Sequence, residues 1–159
     1  KLPLEERKLQ AKKEFIDDIA MSLGGYVAEE MVFGDITTGP SSDLQVASNL
    51  ARAMVTRWGM SEKIGPVAYG SDGGRPQWGE PREESYSQDV AGKIDAEVSR
   101  IIDDGLKSAR KVLSENGKAL DAIANKLMEV ETLEQEEYEK IIIAHGIMPK
   151  KLETEEKVV

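Results

Sequence analysis

The sequence predicts an all-α fold, a bundle of helices joined by short connections. Apolar residues recur at three- and four-residue spacing along most of the chain, the stripe that a helix buries on one face. Glycines and cap-forming residues punctuate those stripes where helices would begin and end. The connections between stripes are short, which makes successive helices antiparallel neighbours. No internal repeat appears, and no heptad pattern is sustained long enough for a coiled coil.

Each element follows from its own residues. The first ten, with Pro3 and several charges, read as a linker or a cut edge. Over 12–23, Phe15, Ile16, Ile19, Ala20 and Leu23 fall at helical spacing. Gly24-Gly25 then breaks or tightens that helix. A second stretch over 26–33 places Val27, Ala28, Met31 and Val32 on one side, and Gly34 stops it. The run Ile36-Thr37-Thr38-Gly39-Pro40-Ser41-Ser42 is a turn, with Ser41 or Ser42 able to cap the next helix. That helix is the clearest of all: Leu44, Ala47, Leu50, Ala51, Met54, Val55 and Trp58 form a continuous stripe ended by Gly59.

A short extended piece fits 65–70, and the Gly-, Pro- and charge-rich stretch over 71–85 reads as an exposed loop. From Ser87 a long helix runs, its buried face marked by Val90, Ile94, Val98, Ile101, Ile102, Leu106, Ala109 and Leu113. Glu115-Asn116-Gly117 ends it, and Leu120, Ile123, Ala124, Leu127 and Met128 mark another. Thr132 and Gln135 have the spacing of a capping box opening a last helix over 133–144. Gly146 and Pro149 close it, before a charged tail. The organisation read from this pattern is one domain: helices over 1–69, an exposed loop over 70–86, further helices over 87–146 and a tail over 147–159.

Composition narrows the chemistry. The chain has 159 residues, 40% hydrophobic and 32% charged, which suits a soluble globular domain. Its net charge of -9 repels phosphate backbones, so nucleic acid is not an expected partner. No apolar run approaches the roughly 20 residues that cross a bilayer. With no cysteine there is no thiol catalysis and no thiolate metal site. A single histidine, His145, rules out a His-rich metal site within the chain.

Few positions carry chemistry. At about 100° per residue, Asp43 lies near Ala47, Leu50 and Met54 on the wheel, at the margin of the apolar stripe. A carboxylate there can face inward, where it requires a cation, a metal or several donors. It can equally serve as a cap or as a partner to the helix dipole. Glu29 and Glu30 are adjacent and point about 100° apart, so they do not form a paired acid and base. His145 falls at a helix C-terminus, where it can bind free carbonyls. Gly70-Ser71-Asp72-Gly73-Gly74 is not a phosphate loop, since no Gly-Lys-Ser/Thr follows. Met21, Met31, Met54 and Met128 fall at core spacing and read as core filler.

Several blocks taken together say more. Leu-Gly-Gly-Tyr-Val-Ala-Glu-Glu-Met-Val-Phe-Gly (23–34) precedes Thr-Thr-Gly-Pro-Ser-Ser-Asp-Leu (37–44). Ala-Arg-Ala-Met-Val-Thr-Arg-Trp-Gly-Met-Ser (51–61) and Ile-Gly-Pro-Val-Ala-Tyr (64–69) follow. In order and separation these blocks resemble the peptidase domain of the FtsH family, the membrane-anchored AAA proteases. Ile94-Asp95-Ala96-Glu97-Val98 resembles the family's C-terminal region more loosely. The chain is therefore similar to the helical C-terminal part of an FtsH-type peptidase domain.

The resemblance implies an ATP-dependent zinc metalloprotease as the parent protein. In that family two histidines of a His-Glu-x-x-His helix and an aspartate in a Thr-Gly-x-x-x-Asp segment hold zinc. Thr38-Gly39-Pro40-Ser41-Ser42-Asp43 matches the second segment, which makes Asp43 the implied third zinc ligand. Two imidazoles and one carboxylate leave a fourth zinc position for water, whose pKa falls to about 7. Glu29 matches the first glutamate of the family's Ala-Glu-Glu, implying that it orients a ligand without binding the metal. Family members often carry Asn before the aspartate, where this chain has Ser42. No His-Glu-x-x-His occurs between positions 1 and 159, nor does the phosphate loop of an ATPase module. The resemblance thus implies a fragment inactive by itself, from a protein that uses ATP and Mg2+ elsewhere in its chain. It also implies a homohexamer that degrades membrane and soluble proteins. Its anchor would lie outside this sequence, at a bacterial inner membrane facing the cytoplasm or in an organellar equivalent. The alternative is a non-catalytic helical assembly or interaction module.

Overall fold

A computed structural model describes residues 9–69 and 86–148; residues 1–8, 70–85 and 149–159, on which most of the expected linker, loop and tail fall, lie outside the described residues. Those described form six helices and no strand: α1 (Lys12–Ser22), α2 (Gly24–Phe33), α3 (Ser41–Thr56), α4 (Gln88–Glu115), α5 (Gly117–Val130) and α6 (Gln135–Ala144). The all-α expectation holds. The extended piece expected after Gly65 is instead irregular chain, tied back when the Tyr69 amide donates to the Thr56 carbonyl at 2.8 Å.

Two compact units divide the described residues, the first ending at Lys111 and the second beginning at Val112. In the first, α1 contributes Phe15, Ile19 and the following Leu23 to a core with Ala47, Ala51, Met54 and Val55 of α3 and Ile94 and Ile101 of α4. Phe15 also stacks on Trp58 with ring centroids 4.6 Å apart. In the second, α5 packs on α6, with Ala119 and Ile142 buried.

Several ends differ from expectation. The break after α1 falls on Leu23, in a right-handed conformation and fully buried, while Gly24 and Gly25 open α2. That conformation is open to any residue, so no glycine is needed there. Gly34 ends α2 in the left-handed region at φ 65°, as expected. Pro40, not a serine, is the N-cap of α3, and no side chain caps that end. Its fixed φ already directs the chain into the helix. Ser87 accepts from the Val90 amide at 3.4 Å and so opens α4. The Thr132–Gln135 capping box does not form: Glu134 is the N-cap of α6, and the Gln135 amide group donates to Glu139 at 2.9 Å.

The methionine expectation holds only in part. Met54 is fully buried, whereas Met21, Met31 and Met128 are exposed. Val32 and Phe33 of α2 are exposed with Met31, so only the Val27 side of that helix is covered.

Candidate metal-ligand segment

Asp43 lies in the first turn of α3, where the N-terminal dipole favours an anion. The carboxylate is exposed rather than turned inward: the wheel margin on which it sits faces outward at this end of the helix. Among the described residues it takes part in no hydrogen bond and no ion pair. Its lone pairs are therefore uncommitted. What lies beside it is α2: a Cβ added at Gly25 would sit 3.7 Å from Asp43 Oδ2.

One turn along the same face of α2 from Gly25 is Glu29, whose carboxylate holds the turn that leads into α3. The Thr37 amide donates to Glu29 Oε2 at 3.1 Å, and the Thr37 hydroxyl reaches the two oxygens at 3.0 and 3.2 Å. Thr37 Oγ1 in turn accepts from the Gly39 amide at 3.0 Å. Buried Pro40 follows, and its carbonyl accepts the Leu44 amide at 2.9 Å, the first bond of α3. Glu30 points away, as expected, and forms an ion pair with Arg110.

The two sequence-level candidates, Asp43 and Glu29, thus come to opposite ends of one turn. His145 belongs to the second unit and has the helix-end role expected of it, donating from Nδ1 to the Ile141 carbonyl at 2.8 Å. Thr37 was not singled out from sequence because its bond to Glu29 spans eight residues, outside any helical repeat. Glu97 was missed too. It is 1% exposed and bonded to Arg100 at 2.7 and 3.0 Å. Its position between Ile94 and Ile101, with Arg100 three residues on, was the available signal.

The fit to a metal can be judged from the donors. No group of three His, Cys, Asp or Glu side chains among the described residues could hold a metal ion. A lone uncommitted carboxylate on a firmly held turn suits one ligand of a zinc site whose others come from elsewhere. It does not make a closed site.

Known proteins agree with the blocks of sequence around this segment. The sequence profile of Peptidase family M41 matches residues 1–141. The "ATP-dependent zinc metalloprotease FtsH" of Bacillus subtilis (strain 168) is 45% identical over 153 residues, covering 94% of this chain and 24% of that protein. The protein of the same name from Veillonella parvula is 43% identical over 135 residues, covering 84% of this chain and 21% of its own. "ATP-dependent zinc metalloprotease FtsH 1" of a Thermoanaerobacter species is 42% identical over 148 residues, with 92% and 24% covered. The chain spans about a quarter of the length of these relatives. Matched along most of its length by one family profile and by proteins of that family, the chain belongs to Peptidase family M41.

Proposed function

We propose that this chain is the Asp43-bearing part of the peptidase domain of an ATP-dependent zinc metalloendopeptidase. The observation that carries the reading is the uncommitted Asp43 carboxylate, at the spacing from Thr38-Gly39 that the family uses for its ligand. Asp43 supplies one anionic ligand from a helix N-terminus. Glu29 stays off the metal, since its oxygens are engaged by Thr37. Bound zinc would provide Lewis-acid activation of water for attack on a peptide carbonyl. Both remaining ligands and the general base come from a His-Glu-x-x-His segment outside residues 1–159, so the chain alone does not hydrolyse peptides. ATP and Mg2+ act in a separate module of the whole protein.

The same reading gives a homohexamer whose protein substrates are unfolded before cleavage, anchored by a part outside this sequence at a bacterial inner membrane or organellar equivalent. No helix among the described residues is long and apolar enough to cross a membrane.

Zinc-dependent proteolysis of an unfolded protein by the longest native polypeptide, with ATP, tests this beside an Asp43→Asn variant. Activity that requires zinc and disappears in a still-folded variant supports the reading. Equal activity in both sinks Asp43 as a ligand. No activity in either, and no bound zinc, favours a helical assembly module, to which the exposed Met31, Val32 and Phe33 of α2 would also suit.

A further inference from the structure

Asn116 and Gly117 join α4 to α5, and theirs is the one Asn-Gly pair in the sequence. In such a pair the main-chain nitrogen of the glycine carries no neighbouring side chain and can attack the asparagine side-chain carbonyl. Here little screens it. A Cβ added at Gly117 would meet nothing within 4 Å beyond its own neighbours and helix. As the first residue of α5, Gly117 has an amide with no acceptor inside that helix. The pair also lines an open cleft with Lys118, Ala144 and His145, so water reaches it. The other asparagines, Asn49 and Asn125, lie inside α3 and α5 and precede leucine and lysine.

The folded geometry holds that reaction back. A ψ of 25° at Asn116 turns the Gly117 nitrogen toward Asn116's own amide and away from its side chain. The side chain is itself fastened. Nδ2 donates to the Val112 carbonyl at 2.8 Å, beside the Asn116 amide, which donates to the same oxygen at 3.1 Å. The Asn116 carbonyl accepts the Ala119 and Leu120 amides at 3.0 and 3.1 Å. Attack therefore requires these bonds to open so that ψ can turn. They lie in the second unit, where Ala119 and Ile142 are the buried apolar residues among those described. Local opening is easiest where so few apolar contacts hold the backbone.

We propose that Asn116 is a modification site, deamidated through a cyclic imide at a rate set by opening of the α4–α5 junction. The Gly117 nitrogen gives up its proton and bonds to Asn116 Cγ. The Cγ–Nδ2 bond breaks, and the departing nitrogen takes a proton and leaves as ammonia. Water then opens the ring. Addition at Cγ yields aspartate, whereas addition at the main-chain carbonyl carbon yields isoaspartate, whose chain runs through the side chain with an added methylene. Neither product keeps the Nδ2 donor, so the Val112 carbonyl loses that bond. The change is irreversible, and the junction cannot close again with its original bonds.

The test incubates the longest native polypeptide at mildly alkaline pH, folded and in denaturant, beside Gly117→Ala. That variant places its methyl group in open space and so keeps the fold. Peptide mass follows deamidation at each asparagine, and enzymatic methylation of isoaspartate separates the two products. Hydrogen exchange of the Ala119 and Leu120 amides, both bonded to Asn116, gives the fraction of time that the junction is open. Aspartate and isoaspartate should accumulate at Asn116 in the folded chain, with a folded-to-unfolded rate ratio equal to that open fraction. Gly117→Ala should lose both products, and Asn49 and Asn125 should remain amides in the folded chain. An Asn116 that stays an amide in the folded chain while the Ala119 and Leu120 amides exchange would overturn the site. A folded rate equal to the unfolded one would overturn control by the junction. Undiminished deamidation in Gly117→Ala would overturn the cyclic imide.

Discussion

Glu97 is a carboxylate buried in the first unit, and its chemistry explains how it stays there. Arg100 bonds it through two nitrogens, and buried Ser61, whose hydroxyl accepts the Ile64 amide at 3.2 Å, helps to favour its charged form. The Arg100 hydrogen bonds hold the Glu97 carboxyl below its ordinary value of 4.5, against the burial that would raise it, with Ser61 and Lys63 adding to the lowering. A carboxyl depressed in the folded state contributes stability in full above its unfolded value and loses it as pH falls through the folded one. Below pH 4.5 the melting midpoint should therefore drop more steeply in the native chain than in Glu97→Gln. The gap between the two proteins should narrow on acidification, and a gap that widens would contradict the assignment. At neutral pH, Glu97→Ala should cost on the order of 2 kcal/mol, under the usual range for a broken buried pair because Arg100 is half-exposed and screened. Denaturant unfolding measures it.

At the scale of elements, α4 packs closely enough on α1 to exclude a methyl group. A Cβ at Gly105 would lie 2.8 Å from Ile19 Cγ2 and 3.1 Å from Leu23 Cδ1, both on fully buried residues. Helix propensity alone would make Gly105→Ala stabilising by about 1 kcal/mol. Overpacking a closed core costs roughly 1–3 kcal/mol, so the substitution should be net destabilising. Gly92, exposed in the same helix with open space around it, is the control. Gly92→Ala should raise stability by about 0.5–1 kcal/mol. Opposite signs in the two variants, read by thermal unfolding, would separate packing from propensity.

The helices themselves were largely legible from sequence, because their signals are local. Gly34, Gly146 and the Glu115–Gly117 signal mark ends that the structure keeps. Caps were less legible. Ser41, Ser42 and Thr132 each have the right chemistry, yet the chain's path put Pro40 and Glu134 at those positions. A cap depends on the direction from which the chain enters the helix, and neighbouring elements set that direction.

Across the whole molecule, the two units differ in what they bury. The first holds nearly all the fully buried side chains, whereas in the second Ala119 and Ile142 are the buried apolar residues among those described. Local opening is easiest where few apolar contacts hold the backbone. Hydrogen exchange should accordingly be slowest in α1, α3 and the α4 residues up to Lys111, and faster in α5 and α6. Equal protection throughout would show that the second unit is held by more than its own packing.

The sequence by itself determined that the chain is helical, where most helices stop, and that the segment from Leu23 to Tyr69 has the order and spacing of one peptidase family. These are properties of residues a few positions apart, or of a pattern of types along the chain. Only the tertiary structure decided which apolar faces are covered, leaving Met21, Met31 and Met128 outside while Glu97 lies within. It alone showed that Glu29 holds Thr37 and that Gly105 meets Ile19. Periodicity fixes which side chains share a face, but burial depends on which other element is laid against that face. That choice is made between residues far apart in the chain.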